Sequence, residues 1–332
     1  MTIRVGLIGA GVMGADHARI LSTAVSGAEL AAVSDADAGR MAAVAESRGA
    51  RAIADPEALI GDPAVDAVIV ASPDHTHSAM VHACLAAGKP VLCEKPLAPT
   101  TTECLDIVAR ESKLGRRLVQ VGFMRRFDPG YVAMRRQLDS GELGAALVLH
   151  CIHRNSVGGP ALKSEHLIVG SAVHEFDIAR WLLGEEVRHV TVIRPRRTAA
   201  TEAQDPQIIL LQMESGAIVD IEVFVDAQYG YDVRGELVGE KGTVSLTPPR
   251  DSLLRQARRE AVALPVDWRP RFAEAYAVEL QGWIASINNG VPAGASAWDG
   301  YVATAVADAG VKSLTGGGSV EVRLEPRPGL YG

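Results

Sequence analysis

The chain has 332 residues, 48% hydrophobic and 22% charged, which is enough for two domains and too apolar for a disordered polypeptide. Its net charge of −7 and the lack of a long basic run argue against nucleic acid as a partner, because an acidic surface repels phosphate. No run of about 18 continuous apolar residues is present to span a membrane.

The start, Met1 to Val5, leads straight into a strand pattern without the basic start, apolar stretch and cleavage site of a signal peptide. Cys84, Cys93, Cys104 and Cys151 show no metal-ligand spacing and read as reduced thiols, so a cytoplasmic protein is expected. Ile3–Ile8 is a short apolar strand. It is followed at once by Gly9-Ala10-Gly11-Val12-Met13-Gly14 and a helical stretch. Leu30–Ser34 is a second strand, ending in Asp35. Further strands are expected at Ala67–Ala71, Val91–Cys93 and Leu118–Val121, with helices near 76–87 and 100–114. Apolar strands alternating with helices indicate a parallel sheet covered on both faces.

In that setting the glycine run reads as a dinucleotide fingerprint. Gly9 permits the tight turn, Gly11 lets a pyrophosphate approach the backbone, and Gly14 lets the helix pack on the sheet. Val12 and Met13 open the helix whose free N–H groups face the phosphates. Asp35 would accept from the adenosine ribose hydroxyls and repel a 2′-phosphate, which favours NAD over NADP. Arg40, in the same loop, keeps dual use open.

After residue 121 the pattern changes. Val219, Ile221, Val223 and Val225 alternate with Asp220, Glu222 and Asp226, as in a sheet with one packed and one polar face. Segments near 145–154, 188–195, 207–213, 217–226, 232–239 and 242–246 read as one large, mostly antiparallel open sheet. Phe272, Tyr276, Leu280, Trp283 and Ile287 mark one face of a later helix. The expected division is a Rossmann domain over 1–121 and an α+β domain over 122–332. His75 and His77 have no carboxylate or cysteine at ligand spacing, so no metal site is expected. From the residues alone, His174 on an apolar helix is a core or capping residue.

The run Glu94-Lys95-Pro96 after a strand, with Ser72-Pro73-Asp74-His75-Thr76-His77, resembles the Gfo/Idh/MocA family of two-domain oxidoreductases. The later blocks Met124–Asp128, His150–Asn155, Asp205–Gln207, Tyr229–Asp232 and Ala297–Tyr301 are similar to the family's inositol-oxidising members. The resemblance covers essentially the whole chain. It implies NAD-dependent oxidation of a ring hydroxyl of myo-inositol to 2-keto-myo-inositol (scyllo-inosose) by a homotetramer. It also implies that Lys95, before an often cis proline, touches the reacting hydroxyl, and that His174 is the general base, a role suited to histidine's ordinary pKa near ~6.5. Under the same resemblance, His153, Asn155, Asp177, Tyr231 and Arg125 hold the polyol, and Ser72, His75, His77, Glu94 and Lys95 line the cofactor. One position departs: four residues before the histidine, where the family's inositol enzymes carry aspartate, this chain has Gly170. Another cyclitol or a pyranose as substrate, and an NAD-binding sensor with little turnover, therefore stay open.

Overall fold

In the computed structural model, which describes residues 2–159, 161–247 and 253–332, the chain divides into two compact units. The first comprises residues up to 127 together with Glu274–Thr304 and Glu325–Gly332. The second comprises Asp128–Ala273 and Ala305–Leu324. A single break after 121 thus misses two later segments that return to the first unit. Sequence order carries no sign of this, because their apolar residues fit either core.

The first unit is built on β1 (Ile3–Ile8), α1 (Val12–Ala24), β2 (Ala28–Ser34), α2 (Ala38–Arg48), β3 (Arg51–Ala52), α3 (Pro56–Gly61) and β4 (Ala67–Val70). It continues through α4 (His77–Ala87), β5 (Val91–Cys93), α5 (Thr101–Leu114) and β6 (Val119–Val121). The six strands are parallel in the order β3-β2-β1-β4-β5-β6. This doubly wound order reverses direction between β1 and β4, and the strand ends there form the crevice in which such sheets bind nucleotides. The central strands are fully buried, as their apolar runs require. Three helices end in glycines at positive φ, Gly49, Gly88 and Gly115, which stop the helix and turn the chain back.

The second unit begins with α6 (Pro129–Asp139) and β7 (Ala146–Arg154). A six-residue π-helical turn, Leu167–Ala172, then runs into α7 (Val173–Leu183). Next come β8 (Val187–Ile193), β9 (Gln207–Met213), β10 (Ile218–Phe224), β11 (Asp232–Gly239) and β12 (Thr243–Ser245), then a hairpin of β13 (Leu254–Gln256) and β14 (Arg259–Ala261). α8 (Trp268–Arg271), α9 (Ala273–Asn289), α10 (Ala297–Gly316) and β15 (Ser319–Glu321) complete the chain. The seven-stranded sheet has the order β12-β11-β7-β10-β9-β8-β15, and only β7 and β10 pair in parallel. One face is packed: Leu149, Cys151 and His153 on β7 and Val219, Ile221 and Val223 on β10 are buried, and their sequence neighbours are not.

Candidate active site

The glycine turn is shaped by close approach. Gly9 has φ +95, and a side-chain carbon there would stand 2.5 Å from the backbone of Ala71 and Ser72 at the end of β4. At Gly14 it would stand 1.8 Å from the carbonyl oxygen of Gly9. At Gly11 it would meet nothing within 4 Å. Two glycines therefore close the turn, and the third keeps open the space in front of α1. No side chain caps α1, and a helix N-terminus favours an anionic group. That donor set fits a dinucleotide pyrophosphate. The β2 end completes the cradle. Asp35 accepts from the Ala10 amide at 2.6 Å and the Asp37 amide at 2.7 Å, and Arg40 pairs with it at 3.1 Å. Burial pushes the Asp35 carboxyl up, but the two amides and the guanidinium outweigh it and hold it below the ordinary range. Arg40 is therefore tied to the Asp35 carboxylate.

At the end of β5, Glu94 and Lys95 precede the cis Lys95–Pro96 bond. Glu94 Oε1 lies 2.7 Å from Nε2 of His17 on α1, and its Oε2 accepts from the Lys95 amide at 3.2 Å. Burial raises the Glu94 carboxyl, but the His17 hydrogen bond, the His17 and Lys95 charges and the Lys95 amide bring it below its ordinary value. Loss of solvent lowers the Lys95 ammonium. Glu94 and Asp74 oppose that shift, and Arg125 adds to it. His77 is buried with Nδ1 2.7 Å from the Pro96 carbonyl and Nε2 2.9 Å from the Ser72 carbonyl. Both ring nitrogens are thus spent bracing the β4 and β5 loops, whereas His75 is exposed on the 3-10 turn Asp74–Thr76. Ser72 Oγ lies 2.6 Å from the Thr76 hydroxyl. Arg125, in the 3-10 turn Met124–Phe127, is 1% exposed.

The second unit gathers its own set. His153 ends β7, and His174 and Glu175 lie in the first turn of α7. Nδ1 of His153 is 3.0 Å from Oε2 of Glu175, and both groups are buried. The His153 ring stands 6.3 Å from that of His174 and 5.9 Å, edge-on, from that of Tyr231. Phe272 backs Tyr231 at 6.3 Å. Asp177 is buried one turn beyond His174. Asn155 is fixed through its backbone, donating to Phe224 and accepting from Ala227. Gly170 lies within the π-helical turn, and a side-chain carbon there would meet nothing within 4 Å. His17 and Glu175 have no counterpart among the sequence-derived candidates. Each is a buried polar residue beside an expected one, and burial on an otherwise apolar helix face was the only available signal. Among the described residues no group of three or more histidine, cysteine or acidic side chains is placed to hold a metal. No helix among them is long and apolar enough to cross a membrane.

Comparison with known proteins agrees with this geometry. The Gfo/Idh/MocA model described as an oxidoreductase family, NAD-binding Rossmann fold, matches residues 3–123, and its C-terminal alpha/beta domain matches residues 135–322. Inositol 2-dehydrogenase 1 of Saccharopolyspora erythraea is 54% identical, with all of both chains covered. Inositol 2-dehydrogenase of Ralstonia nicotianae is 43% identical, covering 100% of this chain and 99% of the relative. The crystal structure of myo-inositol dehydrogenase from Lactobacillus casei, in complex with NAD(H) and myo-inositol, superposes with a TM-score of 0.96 at 35% identity over 100% of each chain.

Proposed function

The chain belongs to the Gfo/Idh/MocA family of oxidoreductases, and from that premise we propose that it oxidises a secondary ring hydroxyl of myo-inositol to 2-keto-myo-inositol with NAD. The observation that carries this reading is the end of β5 at the nucleotide crevice, where Lys95 is held beside a carboxylate that His17 fixes.

NAD, when bound, supplies the acceptor for the hydride leaving the carbinol carbon. The remaining work falls to the chain. Lys95 donates to the reacting hydroxyl oxygen and stabilises the negative charge that grows there. His174 accepts the hydroxyl proton. Glu175 orients His153, which with Asn155, Asp177, Tyr231 and Arg125 receives the remaining ring hydroxyls. A polyol pocket needs this density of polar groups, since each buried group left unpaired costs about 1–3 kcal/mol. The α1 amides, Val12 and Met13 hold the pyrophosphate, and Asp35 holds the adenosine ribose. Ser72, His75, Glu94 and Lys95 line the nicotinamide side, with His77 bracing that loop. A homotetramer fits the open face of the large sheet, where Ile193 pairs with Ile208 and both retain exposure, and the four free cysteines fit the cytoplasm.

The test is NADH absorbance when the purified protein meets NAD and myo-inositol at mildly alkaline pH, with NADP and glucose in parallel. A rise confined to NAD and inositol is expected. A signal only with another cyclitol or a pyranose would move the substrate. NAD binding without reduction for any polyol would favour a sensor, the reading that Gly170 supports.

A further inference from the structure

The first unit holds a second concavity that the proposed dehydrogenase chemistry leaves unused. It is a cavity of about 450 Å³ against the edge strand β6, lined by Arg116, Arg117, Gln120, Trp283, Ile287 and Leu330 among others. That volume lies in the range of small-molecule sites.

Its polar groups are incompletely used. Gln120 is 3% exposed, and neither its amide oxygen nor its amide nitrogen has a hydrogen-bond partner among the described residues. A buried amide left in this state is costly, so such groups are normally paired. Arg117 Nε is also buried without a partner, and its Nη2 only reaches the Gly294 carbonyl at 3.5 Å. Arg116 stands exposed at the rim and donates to the Gly88 carbonyl at 3.3 Å. The carboxylate near Arg117, Glu111, is already committed to the amides of Leu118 and Val119 and to the Tyr331 hydroxyl. Gly294 keeps the space beside the amide free, since a side-chain carbon there would lie 2.7 Å from Gln120.

The complement of this set is specific in kind. Guanidinium groups pair with a carboxylate or a phosphate, and a carboxylate is the smaller and less hydrated of the two beside an apolar wall. An amide offering both a donor and an acceptor suits a carboxylate neighbour that can itself donate, a hydroxyl or an amine. Trp283, Ile287 and Leu330 call for an apolar body. We propose that this cavity binds a small α-hydroxy or α-amino carboxylate with an apolar side chain, at a site separate from the polyol chemistry.

Calorimetric titration of the full-length protein with 3-phenyllactate tests this, with 3-phenyl-1-propanol and inorganic phosphate as parallel probes. Saturable binding of phenyllactate is expected, with no binding of the alcohol. Gln120→Leu and Arg117→Met should each weaken it by about tenfold, the worth of one charge-assisted or buried hydrogen bond, while NAD titration stays unchanged. Should Gln120→Leu fail to fold, Arg116→Met at the exposed rim makes the same comparison. Failure of phenyllactate to saturate, phosphate binding as tight as phenyllactate, or affinity untouched by the variants would overturn the proposal.

Discussion

Nε2 of His17 lies 2.7 Å from Oε1 of Glu94, so the helix that opens the nucleotide cradle is tied to the residue that precedes Lys95. His17 is fully buried and stands edge-on to Tyr276 at 5.9 Å. Gly122, just beyond β6, gives the carboxylate room, because a side-chain carbon there would come within 3.1 Å of Glu94 Oε2. The carboxylate is thereby fixed next to the lysine whose charge it supports.

Glu94→Gln removes that support. Desolvation already lowers the Lys95 ammonium, with Glu94 the first of the groups opposing it. The variant should lower it further. Activity that requires the charged lysine is present below its pKa and lost as pH rises through it, so the alkaline limb of the kcat/KM profile should move to lower pH. An alkaline limb that stays in place in the variant would show that Glu94 does not set the Lys95 charge.

Lys95→Ala should reduce kcat by about 10²–10⁴-fold, the usual worth of a positioned acid or base. NAD affinity, followed by titration, should hardly change, because the α1 amides and Asp35 remain. Weakened NAD binding with preserved turnover would move the lysine from the chemistry to the cofactor.

Gly170→Asp should increase inositol oxidation at saturating NAD. The position is open to a side chain and lies one turn before His174. A carboxylate there adds an acceptor for the substrate, and roughly tenfold in kcat/KM corresponds to about 1.4 kcal/mol. Steady-state kinetics of the two proteins decide it. An unchanged or lower rate in a folded variant rejects the account.

The nucleotide half was legible because its signals are local. The glycine run directly follows β1, Asp35 directly follows β2, each buried strand is its own short apolar run, and β5 occupies the expected Val91–Cys93. α2 was harder to see, since only Met41 and Ala45 of its eleven residues are buried and the apolar stripe is thin. The alternation of β9 to β11 exposed the large sheet, but β15 has three residues and joins β8 across more than a hundred positions. The site residues that eluded the sequence are those paired at long range. His17 meets Glu94 across 77 residues and His153 meets Glu175 across 22, and no spacing rule encodes either contact.

Asp35→Ser should raise the ratio of NADP to NAD kcat/KM by about a hundredfold, by removing a repelling carboxylate and releasing a guanidinium. Arg40 is bound to Asp35 at 3.1 Å and would be freed to meet a 2′-phosphate. Arg40→Ala on the same background should reverse most of the gain. An unchanged cofactor ratio would remove Asp35 from discrimination.

Tyr331→Phe tests how the C-terminal turn supports β6. The Tyr331 hydroxyl donates to Glu111 at 2.5 Å, and the other carboxylate oxygen accepts from the Leu118 and Val119 amides at the start of the strand. Burial pushes the Glu111 carboxyl above its ordinary range, with these three donors holding it back. A carboxyl raised in the folded state keeps a proton that the unfolded chain gives up. The cost of ionising it therefore appears as pH rises above the ordinary glutamate range and is complete above the folded value. Loss of the hydroxyl raises the group further. The variant should be destabilised by about 1–2 kcal/mol at neutral pH and by less near the ordinary glutamate pKa. Urea unfolding at the two pH values measures the difference. An equal loss at both would assign the effect to packing rather than to the charge on Glu111.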